Sequence, residues 1–516
     1  MSVFHKRRTV SYIFFALLVL DSVLYADPQL SSWFTEASTK YARIYTTSNN
    51  RTAGISVVTW TNTSNPSNSQ TSPTYAGVHE INYSANWIYI KNTGLAPYVM
   101  GPWENPNLPK NQGSSTGVYR FPRNPTVISN LATTGRTLTG QGSIGFLVDG
   151  VAIYNTSDGF SYSFSNSKDA APNANIGSGD GIWNRDAWPN EKISFDYPLN
   201  HPQPSGQYHA HANPIGVRYV LNDNINYDSS TKFYSENTSA TNWKHSPIIG
   251  WVNDGLPLYG PYGYSNPTNV SSGVRRMISG YVLRNGNNGT TDLNNTNTGR
   301  KSLPLWAQAA QTNKPFKNGP DVSTTYELGH YAEDYDYLGD HGYTQGVDFD
   351  LNKYNARYCV TPEYPNGTWA YFVSIKADGT PWYPYNVGPW YMATPPASTG
   401  FPPTPGNSTT LTVMNADTPL TQYYKGGTNN VETWSSHPVT VSGGTVTLSW
   451  NAVEGGTYQI SSSTDLTSSI WTALSGAITP TGNSGEKTDT VNTGTTPRKF
   501  YKLTRTGMAP YDSVGY

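Results

Sequence analysis

The chain predicts a mainly β protein: a large two-halved β domain built of hairpins, followed by a small β-sandwich. Three observations carry this. Short runs with strand-like alternation recur between Gly, Pro, Asn and Asp turns, with 48 Gly, 37 Pro and only 13% charged residues in 516. The decapeptides "GFLVDGVAIY" (145–154) and "GWVNDGLPLY" (250–259) repeat one pattern: Gly, aromatic, aliphatic, Asp-Gly, then apolar residues ending in Tyr. The last hundred residues alternate apolar and polar positions, with turns every eight to twelve residues in the manner of a sandwich.

Taken in order, residues 1–26 combine a basic stretch, His5 to Arg8, with an apolar run from Tyr12 to Leu20 and a small residue at Ala26. That is the pattern of a secretory signal peptide and predicts a secreted or surface location. No later segment is long and apolar enough to span a bilayer. Residues 27–75 read as a β-rich lead-in, and 76–391 as the main domain. Its only helical window is "SLPLWAQAAQ", with Pro304 where a first turn accepts it. Each Asp-Gly pair, Asp149-Gly150 and Asp254-Gly255, suits a type I′ turn with positive φ at both central residues. A weaker echo links "PYVMGPW" (97–103) with "PYNVGPW" (384–390). Residues 392–410 are rich in Pro, Ser and Thr and read as a linker. In 411–516, Val446, Leu448 and Trp450 share one strand face, and Tyr458 and Ile460 share another. With "YQISSSTDL", "IWTAL" and "KFYKL" as strands, this part resembles fibronectin-type-III-like modules, which implies a spacer or adhesive unit.

Composition excludes several classes. A net charge of -1 supplies no basic face for nucleic acid. Neither a phosphate-binding loop nor His-Glu-x-x-His is present, so no nucleotide cofactor and no metalloprotease of that type is expected. The single cysteine, Cys359, rules out a disulfide framework and reads as a buried apolar residue. Asn50 and Asn366 head glycosylation sequons, which matter only in a host that uses them. The 38 Tyr and 15 Trp residues fit β-core packing, or stacking on a polysaccharide at a cell surface.

Four of the nine histidines, His201, His209, His211 and His245, fall in one short region. On a strand, His209 and His211 project to one face about 7 Å apart at the backbone, close enough to share a metal ion at about 2.0–2.1 Å. The other reading is that the rings satisfy backbone carbonyls in a Tyr-rich core. For a third ligand, His245 is preferred to His201, because it precedes the apolar strand "PIIGWV" whereas His201 lies in the Pro-rich "LNHPQPSG". Asp334, Asp336, Asp340, Asp348 and Asp350 do not follow an EF-hand spacing and read as a solvated acidic loop.

The segments "HPQPSGQYHAHANPIG", "HSPIIGWVNDGLPLYGPYGY" and "ARYCVTPEYPNGTWAYFVSI", with "PYVMGPW", "YRFPRNP" and "GFLVDGVAIYN", resemble the YHYH protein family over about 76–391. Tyr208, His209 and His211 match its tetrad, and Ala210 stands in place of the second tyrosine. Beyond it, "DLNKYNAR" keeps Asp350, Asn355 and Arg357 of the family's pattern but carries Asn352 and Lys353 where acids are usual. The resemblance implies a fold unit and an extracytoplasmic setting but no reaction, so the catalytic residues are unknown and enzymatic activity is undecided. The expectation is a divalent or copper-like ion on His209, His211, His245 and His201. Tyr208 and Asp254 would orient rings or line the pocket, together with Tyr259, Asp350, Asn355 and Arg357.

Overall fold

The structure, a computed structural model, describes residues 27–508 except 36–39, 105–106, 113–117, 130–133, 173, 397–420, 426–430, 433–439, 443, 452–455, 466–469, 480–483 and 492–498. The segment read as a signal peptide and most of the linker lie outside the described residues.

Eight strands make the central sheet. In chain order they are β1 (Ser143–Leu147), β2 (Ala152–Tyr154), β3 (His201–Pro202), β4 (Tyr208–Ala210), β5 (Ile248–Val252), β6 (Pro257–Tyr259), β7 (Ala356–Cys359) and β8 (Thr368–Phe372). In space they run β3-β4-β2-β1-β5-β6-β8-β7. At the centre β1 and β5 lie antiparallel, with Phe146 opposite Trp251, Gly145 opposite Val252 and Leu147 opposite Gly250. The two decapeptides equate Phe146 with Trp251, so each residue faces its own counterpart, and a two-fold relation passes through that pair. Outward, the halves repeat strand for strand. β4 runs parallel to β2 and β8 parallel to β6, while β3 and β7 close each half as antiparallel edges. Even the register shift recurs, at Ser143/Gly145 in β1 and at Ile248/Gly250 in β5. The two glycines are there because the strands approach closely. A Cβ on Gly145 would come within 2.6 Å of the Trp251 carbonyl oxygen, and one on Gly250 within 2.9 Å of that of Phe146.

The Asp-Gly turns sit at equivalent hairpin tips, but not as type I′ turns. Only the glycines, Gly150 at φ 85° and Gly255 at φ 86°, are in the left-handed region. Gly150 N–H donates to Leu147 O, and Leu147 N–H to Val151 O; Gly255 and Val252 repeat this with Val252 O and Leu256 O. This is a tight turn followed by a glycine bulge. The aspartates explain the difference. Asp149 and Asp254 each accept the N–H two residues on, from Val151 and Leu256, which fixes them outside the left-handed region. The weaker echo is not a structural repeat: Gly101 but not its match Gly388, and Tyr385 but not its match Tyr98, has a positive φ.

Residues 27–75 differ from the β-rich lead-in expected of them. Their described residues hold the helices α1 (Pro28–Ser31) and Ser48–Ala53, capped by Asp27 and Thr47, and a two-residue strand, Arg43–Ile44. Leu30, Trp33, Ile44 and Trp60 are buried in the same core as the central sheet. The helix at Leu305–Ala310 forms behind Pro304, as its sequence predicts. Cys359 is buried in the core and uncharged chemistry is favoured there, since burial raises its thiol. A second sheet joins Val78–Tyr83, Trp87–Asn92 and Val118–Pro122 with Thr421–Lys425. The last of these lies within the range read as the C-terminal module, yet Tyr423 and Tyr424 pack on the main core. Further on, two sheets of three and four strands share a separate core of Val446, Leu448, Trp450, Tyr458, Ile460 and Leu503. No helix among the described residues is long and apolar enough to cross a membrane.

Candidate metal centre

At the outer end of the first half, three imidazoles meet. The hairpin β3-β4 places His201 directly opposite His209, turning through Gln203–Gln207 with Gly206 at φ 83°. Pro202 is tolerated because β3 is an edge strand. His211, one residue past β4, falls on the His209 face, and its backbone is held by Asn386 Nδ2 donating to the carbonyls of His211 and Ala212. One nitrogen from each of the three rings falls within 4.8 Å of the others, and all three side chains are buried. His209 Nε2 and His211 Nε2 are 3.0 Å apart.

The outer ring nitrogens decide what the inner ones can do. His209 Nδ1 faces Gln207 O at 3.1 Å, and His211 Nδ1 faces Asn155 O at 2.8 Å. Carbonyls only accept, so both Nδ1 atoms carry the proton. His201 Nδ1 meets Ser194 Oγ at 2.7 Å, and that hydroxyl spends its proton on Glu191 O. His201 is therefore also protonated at Nδ1, leaving three Nε2 lone pairs turned inward. Charging the rings does not relieve this. Burial holds His201 and His209 well below the ordinary histidine value, and His211 at about 4, with neighbouring imidazoles adding to the effect at His201 and His209.

A fourth group, absent from the sequence-based expectation, completes the arrangement. Glu191 ends the helix α2 (Ala187–Glu191), which starts at Asp186 through a bond from Trp188 N–H. Its Oε2 lies 3.2 Å from His211 Nε2 and 3.7 Å from His201 Nε2. Neither Glu191 Oε2 nor His201 Nε2 has a hydrogen-bond partner. Burial, with Asp158 adding to it, raises the Glu191 carboxyl to about 8, although a quarter of the side chain reaches solvent. Aromatic rings fix the imidazoles: Tyr154 stacks on His209 at 3.9 Å, and Phe195 lies edge-on to His201 at 4.6 Å. Three inward lone pairs and a carboxylate oxygen form a set suited to a first-row divalent ion.

His245 is not part of it. Its Nδ1 is bonded to Ser246 O, and its ring packs against Tyr259, Tyr264 and Phe372 in the other half of the sheet. The firm strand after it holds its backbone far from the pair, whereas the Pro-rich turn is the hairpin that delivers His201. Tyr208 points to the opposite face of β4 and donates to Asp196 Oδ2, which also takes Gly101 N–H; Asp196 Oδ1 accepts Asn200 N–H beside His201. Its effect on the cluster is thus indirect. The remaining expected pocket residues lie in the second half. Asp254 accepts from Tyr371 and Ala393, and Tyr259 donates to Glu363. Asn355 donates to Phe372 O, Arg357 to Tyr264 O, and Asp350 pairs with Arg275. Of the acidic stretch, Asp334 is buried in an ion pair with Arg300, and the buried Asp336 lies 2.9 Å from His341 Nε2, so these two are packed acids and not part of a solvated loop.

By register, the second-half counterparts of His201, His209 and Ala210 are Arg357, Ala370 and Tyr371. One half of the duplicated sheet therefore carries the imidazoles and the other does not. Sheet and site together define a mainly β protein with, among the described residues, a buried histidine cluster at the end of a two-fold sheet. The family model described as YHYH protein matches residues 118–386, more than half of the chain, and the protein belongs to that family. Neither the curated proteins nor the solved structures gave a match.

Proposed function

We propose that this YHYH-family protein binds a divalent or copper-like first-row ion through His201, His209 and His211, with Glu191 as the carboxylate at the mouth. The single observation that carries this is the hydrogen bonding at the three outer nitrogens, which turns three neutral Nε2 lone pairs inward beside the Glu191 carboxyl, whose Oε2 lies 3.2 Å from His211 Nε2. Two unprotonated Nε2 atoms 3.0 Å apart repel unless a proton or a metal ion sits between them, and the carbonyl partners of both Nδ1 atoms hold the ring protons away from that gap. When bound, such an ion would polarise water or a carbonyl group. The chain's own residues would hold the rings in one tautomer and keep bulk water off all but the Glu191 side. The reading assigns ion binding and leaves the reaction open.

The leader-like residues 1–26 support export, and the two-sheet C-terminal unit supports a spacer of the fibronectin-type-III-like kind. Calorimetric titration of metal-stripped, untagged protein with Zn²⁺ and Cu²⁺ tests the site. His209→Ala and His211→Ala should each weaken binding by about a hundredfold or more, and His245→Ala should leave it unchanged. Equal binding by all three variants would refute the assignment.

A further inference from the structure

The two-fold sheet permits a comparison within the molecule. The counterpart of Tyr208 on β4 is Trp369 on β8, and that of Pro202 is Tyr358. In the first half Tyr208 is fully buried, sealed by Trp103 at 5.8 Å and bonded to Asp196. The same place in the second half is open. Trp369 is only partly covered, Tyr358 stands edge-on to it at 5.9 Å and 70° with half its surface exposed, and both line a cleft of about 710 Å³. The cleft is walled by the Gly255 turn, Arg123, Asp27 and Glu363.

We propose that this cleft binds a neutral saccharide chain, with Trp369 and Tyr358 packing on sugar faces and Glu363, Arg123 and Asp27 bonding to hydroxyls. Three features select this ligand. Sugars present apolar C–H faces and polar edges, which match aromatic rings set among polar groups. Arg123 and Asp27 neutralise each other at 2.6 Å, and Glu363 is held by Tyr259 OH and raised to about 7 by burial, so the cleft offers donors and acceptors without a strong field for an ionic ligand. Addition of a peptide strand to β7 is disfavoured, because both ends of that edge are already bonded within the chain. Ala356 O accepts from Asn352 N–H and Gln345 Nε2, and Val360 N–H donates to Pro267 O. The inference is independent of the metal centre.

Affinity electrophoresis of the full chain tests it, using native gels cast with hydroxyethylcellulose, xylan, galactomannan or dextran, and a proline-rich decapeptide measured by fluorescence in parallel. The expected result is retardation by at least one polysaccharide, weakened about tenfold or more in Trp369→Ala and Tyr358→Ala. Trp369→Phe should restore much of it, and His209→Ala should bind as the parent does. Tyr358 is half exposed, so its variant keeps the test valid if Trp369→Ala fails to fold. Retardation by none of the four gels, retardation unaffected by Tyr358→Ala, or binding of the decapeptide alone would each overturn the proposal.

Discussion

Glu191 is the residue whose protonation couples to everything else at the cluster. Burial raises it to about 8, so near neutral pH the ion-free protein holds a proton there that a ligating carboxylate must give up. Ion binding at pH 7 should therefore release about one proton per ion, and affinity should climb as pH rises toward 8. Titrations in buffers of different ionisation enthalpy measure the release; a wild-type protein releasing no more than Glu191→Gln would contradict the assignment. The same shift has a stability consequence. A carboxyl raised in the folded state contributes stability that is fully present below its unfolded value and is lost as pH climbs through about 8. The histidines act in the opposite sense. His211 and His245 are both depressed to about 4, so their contribution is present above about 6.5 and disappears as pH falls through 4. The ion-free protein should thus lose melting temperature between pH 6 and 9, and Glu191→Gln should lose less; equal losses would separate Glu191 from the effect.

At the scale of elements, the duplicated hairpins place two aspartates in identical turns with different partners. Asp254 Oδ2 accepts from Tyr371 and Ala393, while Asp149 Oδ2 is buried with none. The counterpart of Tyr371 is Ala210, the position where the family's tetrad has tyrosine, so loss of that phenol matches the unpaired oxygen. Burial raises Asp149 to about 7 and Asp254 to about 6, in keeping with the poorer bonding of the former. Tyr371→Phe removes one of the bonds to a fully buried carboxyl and should destabilise the fold by about 1–3 kcal/mol in chemical denaturation; a change below a few tenths would show that the bond contributes little. The hairpins and the His209/His211 pair were legible because strand periodicity and Asp-Gly turns are local signals. Glu191 was not, since "DAWPNE" is a single helical turn with no apolar period, and its approach to the histidines depends on tertiary packing. The choice between His201 and His245 failed for a related reason. Pro-rich sequence was read as looseness, when here it makes the turn that pairs His201 with His209.

For the molecule as a whole, the boundary before the C-terminal unit is set by the pairing of Thr421–Lys425 with Val78–Tyr83, not by composition. Ile81 stands opposite Tyr424 and Asn82 opposite Gln422 across that ladder, with Tyr423 and Tyr424 against the main core. A chain ending after Lys425 should retain the main core and its melting transition, whereas one ending before residue 397 should be less stable by about 2–4 kcal/mol. Denaturant titration of the two truncations decides this, and equal stability would assign Thr421–Lys425 to the C-terminal unit. The sequence reading put Thr421–Lys425 in the C-terminal range, because a single five-residue strand carries no mark of the sheet it will join.

The central claim is that one end of a two-fold sheet keeps a tautomerically fixed triad of imidazoles for an ion. X-ray absorption spectroscopy of untagged protein, loaded with Zn²⁺ or Cu²⁺ at one equivalent, tests it most directly. The account predicts about three imidazole nitrogens and one carboxylate oxygen at about 2.0–2.2 Å, with an imidazole scattering contribution that falls in His201→Ala and is untouched in His245→Ala. A shell of solvent oxygens without imidazole scattering, or a spectrum altered by His245→Ala and not by His201→Ala, would contradict it.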